Sequence, residues 1–411
     1  MARKSFGRIA GADVVVVISF LDARFSRIEG SEYKNSALGP LRVLDFSRVL
    51  AGPFATMMLA DLGAVVTKVE RPGTGDETRS WGPPYDENGE ATYFQSVNRN
   101  KSSVALDFGD PADMAEVRRM AREADVLVEN FRPGLMASQG LDYDSLRAEN
   151  PALIYCSITG FGSGGGAALP GYDLLIQALG GLMSITGQPD GEPTKVGVAL
   201  VDVLAGLFAT VGILAALEYR RSAGEGQLVE VDLYSALLAA MVNQSSAYTV
   251  AGAVPARLGN RHPSISPYEL FGTGEGDLVL AVGNDRQFEI LCETVGASEL
   301  PADARFATNS ARVENSHALA EELELRLSAR PAVEWAKELT DRRVPAGVVN
   351  DLAAAFRLAN EIGLEPTVAI EREDGGSVEL TRNPIRLSAT PPTYRTAPPP
   401  MPEKRRTEVP K

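Results

Sequence analysis

The 411-residue chain is 44% hydrophobic and 23% charged, which are ordinary globular values for a protein long enough for two or three domains. Its 40 basic and 54 acidic residues leave a net charge of −14, which argues against nucleic acid or a membrane surface as partner and requires any anionic ligand to be held by a local basic cluster. Cys156 and Cys292 lie far apart without metal spacing, and two histidines, His262 and His317, cannot build a His-rich metal site, so the composition points to buried thiols in a reducing cytoplasm and no metal.

Residues 1–38 read as an N-terminal extension. Its basic start and apolar Val14–Leu21 run resemble a signal peptide, but Asp13, Asp22 and Arg24 flank the run, no small-residue cleavage site follows, and it is too short to span a bilayer. From Leu41 the pattern becomes regular. Strands are expected at Leu41–Phe46, Ala64–Glu70, Ser103–Phe108, Asp125–Asn130 and Ala152–Ile158. Helices are expected at Pro53–Leu62, at Pro111–Ala124 with Asp110 as cap, and at Asp142–Glu149. This alternation predicts an α/β fold with a doubly wound parallel sheet.

After the glycine-rich Gly160–Gly166 come helical tracts at Tyr172–Leu182 and Leu200–Arg221, separated by a Gly/Pro turn that carries Asp190. A strand at Leu228–Leu233 and a helix at Ser235–Val250 follow. The expected organisation is a large domain over 39–222, a smaller α+β domain over 223–330, a return segment over 331–395 and a proline-rich surface tail over 396–411.

Open parallel sheets bind ligands beyond the carboxyl ends of their strands. Leu50 and Ala51, Arg71, Asn130-Phe131-Arg132 and Thr159-Gly160-Phe161 follow strands here, and Val97-Asn98-Arg99-Asn100-Lys101 leads into one. Each arginine alone is as readily a solvated partner of a helix. Four cations, Arg71, Arg99, Lys101 and Arg132, on one predicted edge with aromatic faces suit a phosphorylated, adenine-bearing ligand. No G-x-G-x-x-G opens the first helix, where the turn reads SRVLAGP, and no P-loop occurs, so side chains and loops would grip it. The Pro189-Asp190-Gly191 turn needs no function by itself. Near such a ligand, a lone carboxylate could act as nucleophile toward an acyl group or as base at an α-carbon.

The blocks LRVLDFSRVLAGP, LGAVVTKVERPGTGDETR, YFQSVNRNKSSVALDF, ADVLVENFRPG and GYDLLIQALGGLMSITGQPDGEPTKVGVALVDVLAGLFA together resemble the class III CoA-transferases, from about Leu41 to Pro398. The resemblance implies a transferase that moves CoA from an acyl-CoA thioester to a carboxylic acid, with Asp190 forming an aspartyl mixed anhydride and then an aspartyl-CoA thioester. It places Leu50 and Ala51 near the adenine, Arg71 at the phosphates, and Val97–Asn100 with Lys101 along the nucleotide. Asn130, Phe131 and Arg132 then line the pantetheine path, and Thr159, Gly160 and Phe161 stand near the thioester. It further implies an interlocked, ring-like homodimer.

Departures stand at Ser138, where the family carries a CoA-contacting arginine, at Asn260–Pro267, which lacks a glycine-rich loop, and in the C-terminal ending. Two rivals remain. One is a 2-methylacyl-CoA racemase, opposed by Tyr172 at the racemases' histidine position, with Asp202 at their aspartate. The other is a non-catalytic CoA-binding homologue, opposed by the intact GQPDGEP turn. Asp173, at a helix start, reads as a cap.

Overall fold

A computed structural model describes residues 36–373 and 375–403, so most of the expected N-terminal extension and residues 404–411 lie outside the described residues. The chain divides into two compact units. The large unit takes the chain through Gly180, Gly197–Val242 and Thr367 onward; the small unit takes Gly181–Val196 and Asn243–Pro366.

In the large unit, β1 (Arg42–Asp45), β2 (Val65–Glu70), β3 (Lys101–Ala105), β4 (Val126–Glu129), β5 (Ile154–Thr159) and β6 (Leu228–Asp232) form one parallel sheet. Its order is β3-β2-β1-β4-β5-β6, so the strand order reverses between β1 and β4. The central strands carry apolar side chains on both faces: Val43, Leu44, Val126, Leu127 and Val128 are all fully buried, as sheets covered by helices on both faces require.

Helix α1 (Ala51–Asp61) follows β1 directly, and α2 (Pro111–Glu123) starts where Asp110 accepts hydrogen bonds from Ala112 and Asp113 N–H. Val117, Met120 and Ala121 of α2 pack into a cluster with Leu44, Leu127 and Leu153. Beyond β5 come α3 (Asp173–Leu179), α4 (Leu200–Ala223) and α5 (Leu233–Ala240). By length and composition α4 could cross a membrane. Its buried face (Val201, Ala205, Ala209, Ile213, Ala216) packs instead with α1, β5 and β6.

The small unit holds α6 (Val242–Ala251) and an antiparallel sheet of β7 (Tyr268–Gly272), β8 (Asp277–Ala281) and β9 (Ala346–Val348). Helices α7 (Asp285–Thr294), α8 (Ser316–Leu327) and α9 (Ala332–Asp341) bury Phe288, Leu291, Leu319, Leu323, Trp335 and Leu339 with Phe271, Leu278 and Leu280 of this sheet.

Four expectations are corrected. The small unit does not begin at residue 223, because β6 ladders with β5 and closes the large sheet. Nor does it end at 330, because β9 pairs with β8. The expected continuous helix Ser235–Val250 is split at Val242, which sits at φ 34°. Its first half buries Leu233, Ala236 and Leu237 in the large unit, and from Asn243 the chain belongs to the other unit.

The proline-rich end, finally, is no free tail as far as it is described. Thr393 N–H donates to Asp61 O (2.8 Å), Asn100 N–H donates to Thr396 O (2.9 Å), and Pro398 and Pro399 are buried. A proline-rich strand cannot make its own ladder, so these polar partners dock it.

Candidate active site

The reversal between β1 and β4 opens a crevice at the carboxyl ends of the strands. A cavity of about 250 Å³ lies there, lined by Phe46 and Arg48 after β1, Glu70 and Arg71 at β2, Leu106 and Phe108 after β3, and Phe131, Leu135 and Gln139 after β4. That volume suits a ring system rather than a whole cofactor-sized ligand, for which about 300–1,000 Å³ is usual. Its walls are aromatic: Phe108 meets Phe46 edge-on at 5.6 Å and Phe131 at 6.2 Å.

The loop between β1 and α1 is fixed across the switch point. Asn130 Oδ1 accepts from Arg48 N–H (2.8 Å) and Asn130 Nδ2 donates to Arg48 O (2.7 Å). Lys68 Nζ donates to Ser47 O (2.7 Å) and pairs with Asp76 (2.9 Å), whose carboxylate accepts from Val49 N–H at 3.3 Å. Val49 itself is held at φ 67°. The loop presents Arg48 over the Phe131 ring (4.9 Å to the centroid) and beside Glu77, with Nε–H buried and unpartnered among the described residues.

Sequence reasoning did not single out Arg48, Lys68 or Asp76. The signal for Arg48 was its place directly after a strand. Nothing local marks the other two.

Beneath this edge lies a buried charge network. Asp45 takes Lys101 (3.1 Å) and Thr56 (2.7 Å) besides Ser47. Burial pushes the Asp45 carboxyl up, but the charges of Lys101 and Lys68 with the two hydroxyls outweigh it and hold it below the usual range. Burial pushes Lys101 down to about 8 against the pull of Asp45.

The candidate residues therefore separate. Arg71 and Phe131 line the cavity, and Arg132 follows in the exposed turn. Neither the Arg71 nor the Arg132 guanidinium has a partner among the described residues. Leu50 and Val97 come together in a small apolar cluster with Met57, and Ala51 is buried beside them at the start of α1. Asn98 donates to Phe94 O and accepts from Lys101, so both side chains are spent internally.

Arg99 and Asn100 depart furthest from the expected basic edge. Because β3 runs parallel to β2, the residues that precede it sit toward the amino end of the sheet. There Arg99 forks onto Asp61 (2.7 and 2.9 Å) at the end of α1, and Asn100 joins the same carboxylate (2.8 Å). Of the four expected cations, two are free at the cavity side and two are buried and paired.

A wider groove of about 660 Å³ lies around Leu41, Arg42 and Arg220, where both arginines pair with Asp125 and leave no free cation pair for an anion.

At the end of β5, Thr159 Oγ1 accepts from Gly162 N–H (3.0 Å), and Phe161 stacks with Tyr234 at 5.4 Å. Gly160 and Gly171 touch backbone to backbone. A Cβ on Gly160 would fall 2.4 Å from Gly171 Cα, so side chains are excluded from both. Asp173 accepts from Val201 (2.8 Å) and Asp202 (3.3 Å) N–H, capping α4 rather than its own helix. Burial, aided by Asp173, pushes Asp202 up to about 7.

In the small unit, Asp190 is exposed in the turn, and its carboxylate has no hydrogen bond or ion pair among the described residues. Both thiols are buried, and burial pushes Cys292 up to about 12 and Cys156 further, which leaves them unreactive.

A six-stranded parallel sheet in this order, with an aromatic cavity at the carboxyl ends of its strands, makes a Rossmann-like fold. Residues 38–405 match the profile of CoA-transferase family III. A succinate–glutarate CoA-transferase of Agrobacterium fabrum is 44% identical over 378 residues, 89% of this chain and 93% of that one. An acetyl-CoA:oxalate CoA-transferase of Acetobacter aceti is 40% identical over 85% of this chain and 88% of its own. The crystal structure of a CaiB/BaiF family protein from Brucella suis superposes with a TM-score of 0.80 at 42% identity, covering 90% of this chain and 97% of that one. The chain belongs to CoA-transferase family III, as an acyl-CoA:carboxylate CoA-transferase with acyl-CoA as substrate.

Proposed function

We propose that the protein transfers CoA between dicarboxylates through covalent intermediates on Asp190. The observation that carries this reading is an exposed, unpartnered carboxylate in the GQPDGEP turn of a family III chain. The Asp190 carboxylate attacks the acyl-CoA carbonyl, giving a mixed anhydride and CoA thiolate. The thiolate then attacks the aspartyl carbonyl, forming the aspartyl-CoA thioester and releasing the first carboxylate. The acceptor carboxylate attacks that thioester, and returning thiolate cleaves the new anhydride to acceptor-CoA and free Asp190. Each intermediate keeps one carbonyl activated, first as an anhydride and then as the aspartyl thioester. The succinate, glutarate and oxalate named for the two relatives support a dicarboxylate acceptor.

The adenine ring belongs in the aromatic cavity, with Arg71 and Arg132 at phosphates and Arg48 added to the set. Asn130 serves through the Arg48 loop. Thr159, Gly160 and Phe161 keep their assignment to the thioester end by the resemblance. A homodimer, interlocked as the resemblance implies, is supported by exposed apolar side chains in each unit: Leu179, Phe208 and Val211 in the large one, and Tyr248, Val250, Val254 and Leu352 in the small one. We assign the protein to the cytoplasm.

The test is to incubate the protein with succinyl-, glutaryl- and oxalyl-CoA, quench, and measure intact mass. A covalent adduct is expected on the parent chain and none on Asp190→Ala; undiminished transfer in Asp190→Ala sinks the mechanism. Racemisation is opposed by Tyr172, an exposed phenol where the racemases carry the histidine of their acid–base pair. α-Proton exchange with D₂O in the absence of transfer would revive it.

A further inference from the structure

The Asp190 turn is held by very little of its own. No residue from Gly181 to Val196 is buried, so apolar packing does not fix the segment. Local bonds close it: Gly191 N–H donates to Gln188 O (3.0 Å), and Thr194 N–H donates to Thr186 O (3.1 Å). Three hydrogen bonds reach the turn itself from one short stretch of the same unit. Gly259 N–H donates to Gly187 O (3.0 Å), and Arg257 donates from Nε to Gln188 O (3.2 Å) and from Nη2 to Pro189 O (3.5 Å). Among the described residues Arg257 has no other hydrogen bond and no carboxylate partner.

We propose that Arg257 is a positioning residue of the transfer reaction: its guanidinium holds the Gln188 and Pro189 carbonyls and so sets the direction in which Asp190 leaves the turn. The inference rests on the reading of Asp190 as the nucleophile. A nucleophile must meet its carbonyl at about 3–3.5 Å with aligned orbitals, and a misplacement of about 1 Å costs roughly 100-fold. A planar fork with fixed Nε and Nη donors can span two successive carbonyls, which a lysine ammonium cannot reproduce. Gly259 supports the brace from the same side. It sits at φ 62°, a conformation an L side chain adopts only under strain, so Gly259→Ala strains the Gly259 N–H to Gly187 O contact without touching Arg257.

The experiment uses full-length protein with succinyl-CoA and glutarate. Arg257→Ala, Arg257→Lys and Gly259→Ala are expected to lose about 10- to 100-fold in kcat, with both KM values held within about twofold. The single-turnover rate of Asp190 adduct formation should fall in step, and millimolar guanidinium should restore part of kcat to Arg257→Ala but none to Asp190→Ala. Unchanged kcat in the Arg257 variants overturns the proposal. So does a rise confined to the KM for glutarate, which would make Arg257 a contact for the acceptor's carboxylate. A loss that only tracks melting temperature and resists guanidinium also overturns it. If Asp190→Ala keeps full transfer, the nucleophile reading falls first and takes this one with it. A dead Asp190→Ala beside unaffected Arg257 variants removes this proposal alone.

Discussion

Lys101 in the large unit and Asp190 in the small unit are both single charges flanking short connections, and they are treated in opposite ways. Lys101 is buried and donates to Asp45, Pro53 O and Asn98, while Asp190 is exposed with no partner among the described residues. The first arrangement spends charge on rigidity: it anchors the floor under the β1–α1 loop, whose own carbonyls and N–H groups are taken up by Lys68, Asp76 and Asn130. The second keeps charge free for chemistry and leaves its placement to backbone contacts. Residue type on a sheet edge therefore does not separate ligand holders from scaffold. Partner saturation does.

Substitutions can break or sharpen that contrast. Asp190→Asn should lower kcat by at least about 10³-fold with no change in melting temperature, since nothing folded leans on that carboxylate. Equal loss of stability would mean that Asp190 is scaffold after all. Lys101→Met should behave in the opposite sense, costing about 3–5 kcal/mol in denaturant unfolding by stranding the Asp45 carboxylate. If it instead raised the KM for acyl-CoA at full stability, Lys101 would join the ligand set.

Asp202 is the intermediate case, a mostly buried carboxylate without a cation. Its folded pKa of about 7 lies above the ordinary 3.8, so the stability it contributes is fully present below 3.8 and is lost as pH rises through 7. Asp202→Asn should therefore gain on the parent chain between pH 4 and pH 8, by on the order of 2–4 kcal/mol in chemical unfolding. A pH-independent difference would show that Asp202 ionises freely. Smallest of all, Arg71→Ala should raise the KM for acyl-CoA about tenfold, about 1.4 kcal/mol, at unchanged kcat and stability. No change in KM would remove Arg71 from the phosphates.

How far the sequence reached can be followed residue by residue. The strands around Val43, Val66, Val126 and Ile154 and the helix capped by Asp110 were legible because apolar runs and caps act over a few neighbours. Arg71 was placed on the cavity side because it directly follows a strand. Arg99 and Asn100 were misplaced, since the carboxylate they share, Asp61, lies almost forty residues away and is met only when α1 folds back. The break at Val242 was equally hidden, because nothing local tells a helix that its two halves fall in different compact units.

By itself, then, the sequence determined the strand–helix alternation, the parallel sheet it requires, and the family through ordered motifs such as GQPDGEP. These depend on short-range pattern, which the chain carries wherever it is placed. Only the tertiary structure decided which cations are spent on buried carboxylates and which stay free, where the small unit begins and ends, and that Arg257 grips the turn bearing Asp190. Each of those depends on groups far apart in the chain meeting in space; for the spent cations, burial makes an unpaired charge costly and so dictates its partner.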